Sequence, residues 1–288
     1  MRSKDRSGRS DETRPEEDIE PPAGVSRREV EDIEERSQLR APVIYEIVRR
    51  EGEMEMARPA MSLWWSGVAA GLSISFSLLA QAVLLTHLPD VGWRPLVTGF
   101  GYSLGFLMVV LARQQLFTET TITIVLPVVA EFTARNLRGL IRVWTIVLAA
   151  NMTGTLFAAL FCNFTPVLTP ELRGAMIAIS REMMANGPTE MLFKGITSGF
   201  LIAAMVWLIP SAEGAQFHVV TIMTYLIAIG GFTHIVAGSM EAFLLLVAGE
   251  LGFGHMVLGF TFPVLLGNVI GGTALFALIS YAQVMREM

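Results

Sequence analysis

The chain is poor in charge, in lysine and in cysteine. Asp, Glu, Lys and Arg make up 16% of its 288 residues against 52% hydrophobic ones, and the mean hydropathy is +0.53. That leaves too little polar surface to coat a soluble globule of this size, so lipid must cover much of it. Cys162 is the single cysteine, which excludes an intrachain disulfide and any cysteine cluster or thiol motif. The four histidines (His87, His218, His234 and His255) lack metal-ligand spacing, and there is neither a phosphate-binding glycine loop nor a nucleophilic serine elbow. No enzyme activity, no metal and no cofactor is expected. The formal charge of −5 is mixed in sign and lacks the one-signed basic patch that a nucleic-acid partner requires. The N-terminus has no hydrophobic stretch, so it reads as neither a cleaved signal peptide nor an acid-poor transit sequence, and the first internal span must drive insertion.

Most of the charge lies in residues 1–58. Residues 1–25 are charged and proline-containing, with few large apolar groups, and are expected to be a disordered tail. Residues 26–58 are expected to form a cytoplasmic amphipathic helical segment, with Ser26 as N-cap. Pro42 either ends a first helix or opens a second turn carrying Val43, Ile44, Ile47 and Val48. Residues 59–288 hold six apolar regions, Ser62–Leu88, Leu96–Phe132, Leu140–Phe164, Glu190–Pro210, Val219–Leu251 and Met256–Val284, each near or above the ~20 residues that cross a bilayer. Between the third and fourth, Pro170–Ala185 reads as a surface helix. Arg135, Arg138 and Arg142 after the second span, with the arginine-rich N-terminus, favour both termini inside. Trp64, Trp65, Trp93 and Trp144 sit near span ends, as interface anchors do.

The second and fifth regions are too long for one plain helix, and each contains a polar break. One runs from Arg113 to Glu119, the other from Gly230 through His234 to Glu241. Unwound backbone at membrane depth survives only where protein or a water-filled cavity satisfies it, so the breaks point to a pathway for a small solute. The first and fourth spans share G-x-x-x-G (Gly67 and Gly71; Gly195 and Gly199). The third and sixth share Asn-x-x-Gly (Asn151 and Gly154; Asn268 and Gly271). The chain therefore reads as two three-span halves. An odd number of spans per half inverts the second against the first and sets the breaks face to face.

Within that frame His234, between glycines in an apolar run, is placed to donate a hydrogen bond to an anion or to relay a proton, rather than to serve as an ordinary core histidine. Lys194, one of two lysines, either snorkels to the nearby span end or draws anions inward by its field. Leu116 and Phe117 are candidates for an apolar constriction, with Thr118 offering a hydroxyl. Glu119 and Glu241 each follow a break, where the dipole of a half-helix favours an acid, while Asn151 and Asn268 are candidate caps of the same breaks. Arg113 and Glu119 are alternatively a buried pair.

At these residues the chain resembles the formate/nitrite transporter family from about residue 40 to the C-terminus, and is similar to a divergent branch of it. The resemblance is carried by Leu116-Phe117-Thr118, by Phe193-Lys194-Gly195-Ile196 with Trp207, by Gly231-Phe232-Thr233-His234, and by Gly267-Asn268-Val269-Ile270-Gly271-Gly272. It implies an aquaporin-like, all-α fold of six transmembrane helices in a 3+3 inverted repeat, assembled as a homopentamer in the inner (cytoplasmic) membrane. It also implies two hydrophobic constrictions, a central histidine (His234) near a loop threonine (Thr118), and a vestibule lysine (Lys194). The chain departs from the family pattern at Gln114-Gln115, Gly199, Ile202-Ala203, Thr233 and Ile227, the last standing where an aromatic often narrows the pore. The expected function is passage of a small monovalent anion or its weak acid, of the formate, nitrite or hydrosulfide kind, either channel-like or with a proton. The alternatives are a pore for a neutral solute such as water or hydrogen sulfide, and a non-transporting scaffold or sensor whose tail binds a partner.

Overall fold

Residues 39–285 are described by the structure, a computed structural model; the expected disordered tail and the helix start at Ser26 lie outside the described residues. Pro42 opens a helix rather than closing one. α1 (Ala41–Ala57) follows Arg40, buries Ile44, Tyr45, Val48 and Gly52 on one face, from which Glu51 and Glu55 also point inward, and carries Glu46, Arg49, Arg50 and Glu53 on the other. There Glu46 accepts from Arg49 (2.8 Å) and Arg50 (2.6 Å), and these hydrogen bonds hold its carboxyl down at about 2. Arg142 ends α1 by donating to the carbonyls of Met56 (3.2 Å) and Arg58 (2.7 Å).

Six spans follow, four continuous and two interrupted. α2 (Ala60–His87) bends at Ser75, whose hydroxyl bonds back to the Gly71 carbonyl at 2.8 Å and loosens the backbone ladder. α3 (Arg94–Leu111) and α4 (Phe117–Ala130) are the two parts of the second span. α5 (Ala134–Phe164) is the third, capped by Thr133, and α6 (Pro170–Met184), capped by Thr169, lies between the halves. α7 (Pro188–Leu208) is the fourth span, α8 (Gln216–Ile229) and α9 (Ile235–Val247) the interrupted fifth, and α10 (Phe253–Val284) the sixth.

The repeated motifs pack against each other inside each half. The G-x-x-x-G of α2 meets the Asn-x-x-Gly of α5, and the G-x-x-x-G of α7 meets that of α10. A Cβ on Gly71 would lie 2.9 Å from Gly154 Cα, and one on Gly199 would lie 2.7 Å from Asn268 Cα. Only hydrogen fits at those crossings, which is how helices in lipid gain close contact. Across the halves the pairing is also reciprocal, with α4 against α10 and α9 against α5.

Candidate functional site

The two breaks have one backbone design. α3 ends with Arg113 in the left-handed region (φ 51°) and α8 with Gly231 in the same region (φ 61°). Arg113 N–H donates to the Val110 carbonyl and Gln114 N–H to that of Val109, and Gly231 and Phe232 repeat this on Ala228 and Ile227. Leu116 and His234 then lie in extended backbone, immediately before α4 and α9. A left-handed arginine is strained by roughly 1 kcal/mol, which glycine avoids. Space around Gly231 is open, the Lys194 ammonium being 4.0 Å from an added Cβ. Gly231→Ala is therefore expected to lower stability by about 1–2 kcal/mol through the backbone alone. Arg113→Gly should stay within about 1 kcal/mol of the parent, because relieved strain offsets its exposed 2.9 Å pair with Glu51. Thermal melts of the two variants check the difference.

One asparagine closes each break. Asn151, fully buried, accepts from Phe117 N–H at 2.9 Å and donates to the carbonyls of Gly67 (2.8 Å) and Gln115 (2.9 Å). Asn268, equally buried, accepts from Ile235 N–H at 2.8 Å and donates to Gly195 (2.8 Å) and Thr233 (3.0 Å). Each satisfies the first orphan donor of a half-helix and one loop carbonyl of the break, and ties both to a glycine carbonyl of the neighbouring helix.

The breaks meet at Thr118 and His234, whose Oγ1 and Nε2 are 2.7 Å apart and buried. His234 Nδ1 accepts from Ala237 N–H at 3.2 Å and so caps α9. In the neutral ring that leaves the proton on Nε2, donated to Thr118. A second proton, on Nδ1, would face Ala237 N–H. The geometry thus holds a neutral imidazole whose one donor goes to Thr118, with the threonine hydroxyl hydrogen left as the outward donor. Phe106 packs edge-on to His234 (5.0 Å between centroids), and Tyr102 lies one turn before it (5.1 Å from Phe106). Neither aromatic stands out in the sequence; their signal is the i, i+4 spacing on the buried face of α3 that leads into the break.

Several expected residues sit differently. Glu119 is in the first turn of α4, but Arg113 turns away to Glu51, so the Arg113–Glu119 pair does not form and Glu119 Oε1 has no partner. Glu241 is not at a half-helix start: α9 begins at Ile235, directly after His234, and Glu241 is two turns in, buried. Trp144 is not an interface anchor, since its indole donates to the Thr120 carbonyl (3.3 Å) and packs edge-on to Phe117. Leu116, Phe117 and Ile227 are buried around the breaks. Lys194 reaches back to Glu190 (2.8 Å) and Asn186 (2.5 Å), beside the second break.

A sequence profile of the formate/nitrite transporter family matches residues 42–282. The inner membrane protein YfdC of Escherichia coli is 44% identical over 261 residues, covering 91% of this chain and 84% of that one. The formate channel FocA of Haemophilus influenzae is 25% identical over 241 residues, 75% of this chain and 84% of that one. A solved structure described as a pentameric formate channel with formate bound superposes with a TM-score of 0.67 at 21% identity, covering 79% of this chain and 98% of that one.

Proposed function

The chain belongs to the formate/nitrite transporter family, and from that membership we propose that it passes a small monovalent anion or its weak acid across the inner membrane. Each protomer of a homopentamer would hold its own pathway, with both termini cytoplasmic. The division into a tail over 1–25, a helical segment over 26–58 and a transport domain over 59–288 belongs to the same proposal. One observation carries the reading: a hydroxyl and an imidazole from oppositely inserted halves bond at 2.7 Å where the two breaks meet. A bare anion in hydrocarbon costs several kcal/mol or more. The Thr118 hydroxyl, polarised by His234, would offer the dehydrated solute a hydrogen bond, while Leu116, Phe117 and Ile227 narrow the way for hydrated ions.

His234 is held neutral by its cap bond, so it serves as a hydrogen-bond donor to Thr118 rather than as a cation. The acid form of the solute would cross most readily, and flux should rise as the pH falls toward the solute's own pKa. In proteoliposomes, His234→Ala is expected to reduce formate or nitrite flux at least tenfold, about 1.4 kcal/mol or more on the barrier, while the oligomer still forms. Undiminished flux would overturn the assignment. A neutral-solute pore is the second reading, favoured by the pairing of Lys194 with Glu190, which leaves its charge neutralised. Vesicle swelling that does not change with pH would select it.

A further inference from the structure

Between α1 and the first break lies a cavity of about 320 Å³, and the buried side-chain atoms left unpartnered on its wall are all oxygens. Three carboxylates reach it, Glu51 and Glu55 from α1 and Glu119 from α4. Two guanidiniums also line it: Arg113, 77% exposed, pairs with Glu51, and Arg58 donates to Ser62 Oγ at 3.0 Å, which leaves the three carboxylates one charge in excess. Three buried side-chain oxygens on the wall have no partner, namely Gln114 Oε1, Gln115 Oε1 and Glu119 Oε1. Gln115 is only 6% exposed, and its amide cannot be turned round, because Nε2 donates to Glu55 Oε1 at 3.1 Å. All three orphaned groups are acceptors. A buried acceptor left unmade costs about 1–3 kcal/mol, so the cavity calls for an occupant that brings positive charge or hydrogen-bond donors.

We propose that this cavity is a binding site for a small monovalent cation, an alkali ion or ammonium, held by the amide oxygens of Gln114 and Gln115 and the carboxylate of Glu119, with Glu55 behind them. Oxygen ligands of this kind suit hard cations. Divalent ions draw on several converging carboxylates, and among the described residues no group of three acids, histidines or cysteines is placed to hold a metal ion. α1 is held close enough to contribute because Gly52 lies directly on the Thr123 carbonyl, and Thr123 Oγ1 donates to Glu55 Oε2 at 2.9 Å. Burial pushes the Glu55 carboxyl up, and the two hydrogen bonds from Gln115 and Thr123 oppose this; a bound cation would act in the same direction as those bonds. The site stands whether or not an anion crosses.

The test uses the full-length protein in zwitterionic nanodiscs, titrated with NaCl, KCl or NH4Cl against choline chloride at constant ionic strength, with thermal stability and calorimetric heat as readouts. At least one of the three cations should bind saturably. Gln114→Leu and Glu119→Gln should each weaken that binding at least tenfold while the oligomer elutes unchanged; Gln114, partly exposed, makes the safer fold. Curves that match choline throughout would overturn the proposal and leave water as what satisfies the oxygens. Binding undiminished in both variants would also overturn it, by placing the ion elsewhere. Because no flux is read, a negative result leaves the permeation reading untouched.

Discussion

Asn268→Ala is expected to unfold the second half of the membrane domain rather than only slow transport. The side chain is fully buried and satisfies three backbone groups: Ile235 N–H at 2.8 Å and the carbonyls of Gly195 and Thr233 at 2.8 and 3.0 Å. Alanine orphans Ile235 N–H and the Thr233 carbonyl at once, while the Gly195 carbonyl, inside α7, keeps its helical partner and loses only its second bond. At about 1–3 kcal/mol for each of the two orphaned groups, and no water at membrane depth to replace the partner, the loss is about 2–5 kcal/mol after partial relaxation. That is a large share of the net stability of many domains. Asn268→Asp keeps the acceptor for Ile235 N–H but supplies no donor to the two carbonyls, so it should fail too. Asn151→Ala should behave the same way through Phe117, Gly67 and Gln115. Thermal melts and oligomer elution in detergent check this. An Asn268→Ala protein that melts within about 1 kcal/mol of the parent would remove the asparagine from its structural place. The contrast with His234→Ala, which loses the bond to Thr118 and one cap bond from Ala237 N–H but leaves both asparagine clamps in place, separates loss of frame from loss of function.

The frame is legible in the sequence because lipid restricts backbone so strongly. Polar interruptions such as Arg113–Glu119 in an apolar run have few explanations there, and matched asparagines and glycines expose the repeat. What stays hidden depends on how separate segments dock. Arg113 sits six residues from Glu119 but pairs with Glu51, an acid on a helix whose position against the break no local pattern reveals. Glu241 looks like part of the second break because Gly238 and Ser239 precede it. Yet Gly238 is there for close packing against Phe260, and Ser239 returns its hydroxyl to the Ile235 carbonyl, so the helix runs through both. Trp144 looks interfacial only if the third span is taken to begin near it; α5 starts at Ala134, which carries the indole inward to Phe117. Phe106 and Tyr102 are apolar residues in an apolar helix, and only the approach of His234 distinguishes them from the rest of that face.

The same coupling of packing to the breaks makes a single methyl group decisive. Gly199→Ala is expected to destabilise the protein by about 2–4 kcal/mol, beyond the ordinary 1–3 kcal/mol of an overpacked core. Its Cβ would lie 2.7 Å from Asn268 Cα and still closer to the Asn268 carbonyl oxygen. Those are backbone atoms of a neighbouring helix and cannot rotate aside, so α7 and α10 must separate. The separation moves Asn268 itself, and its three bonds at 2.8–3.0 Å tolerate only a few tenths of an ångström before they weaken. The overpacking therefore reaches Ile235 N–H and the start of α9, although Gly199 touches neither. Gly71→Ala should act likewise in the first half, since its Cβ would press on the Asn151 carbonyl oxygen and on Gly154. Gly174→Ala on α6 is the matched control, with nothing within 4 Å of the added carbon. There the better helix propensity of alanine should leave stability unchanged or raise it by about 0.5–1 kcal/mol. If Gly199→Ala melts with Gly174→Ala, the helices have slack at their crossing, and the breaks are not set by it.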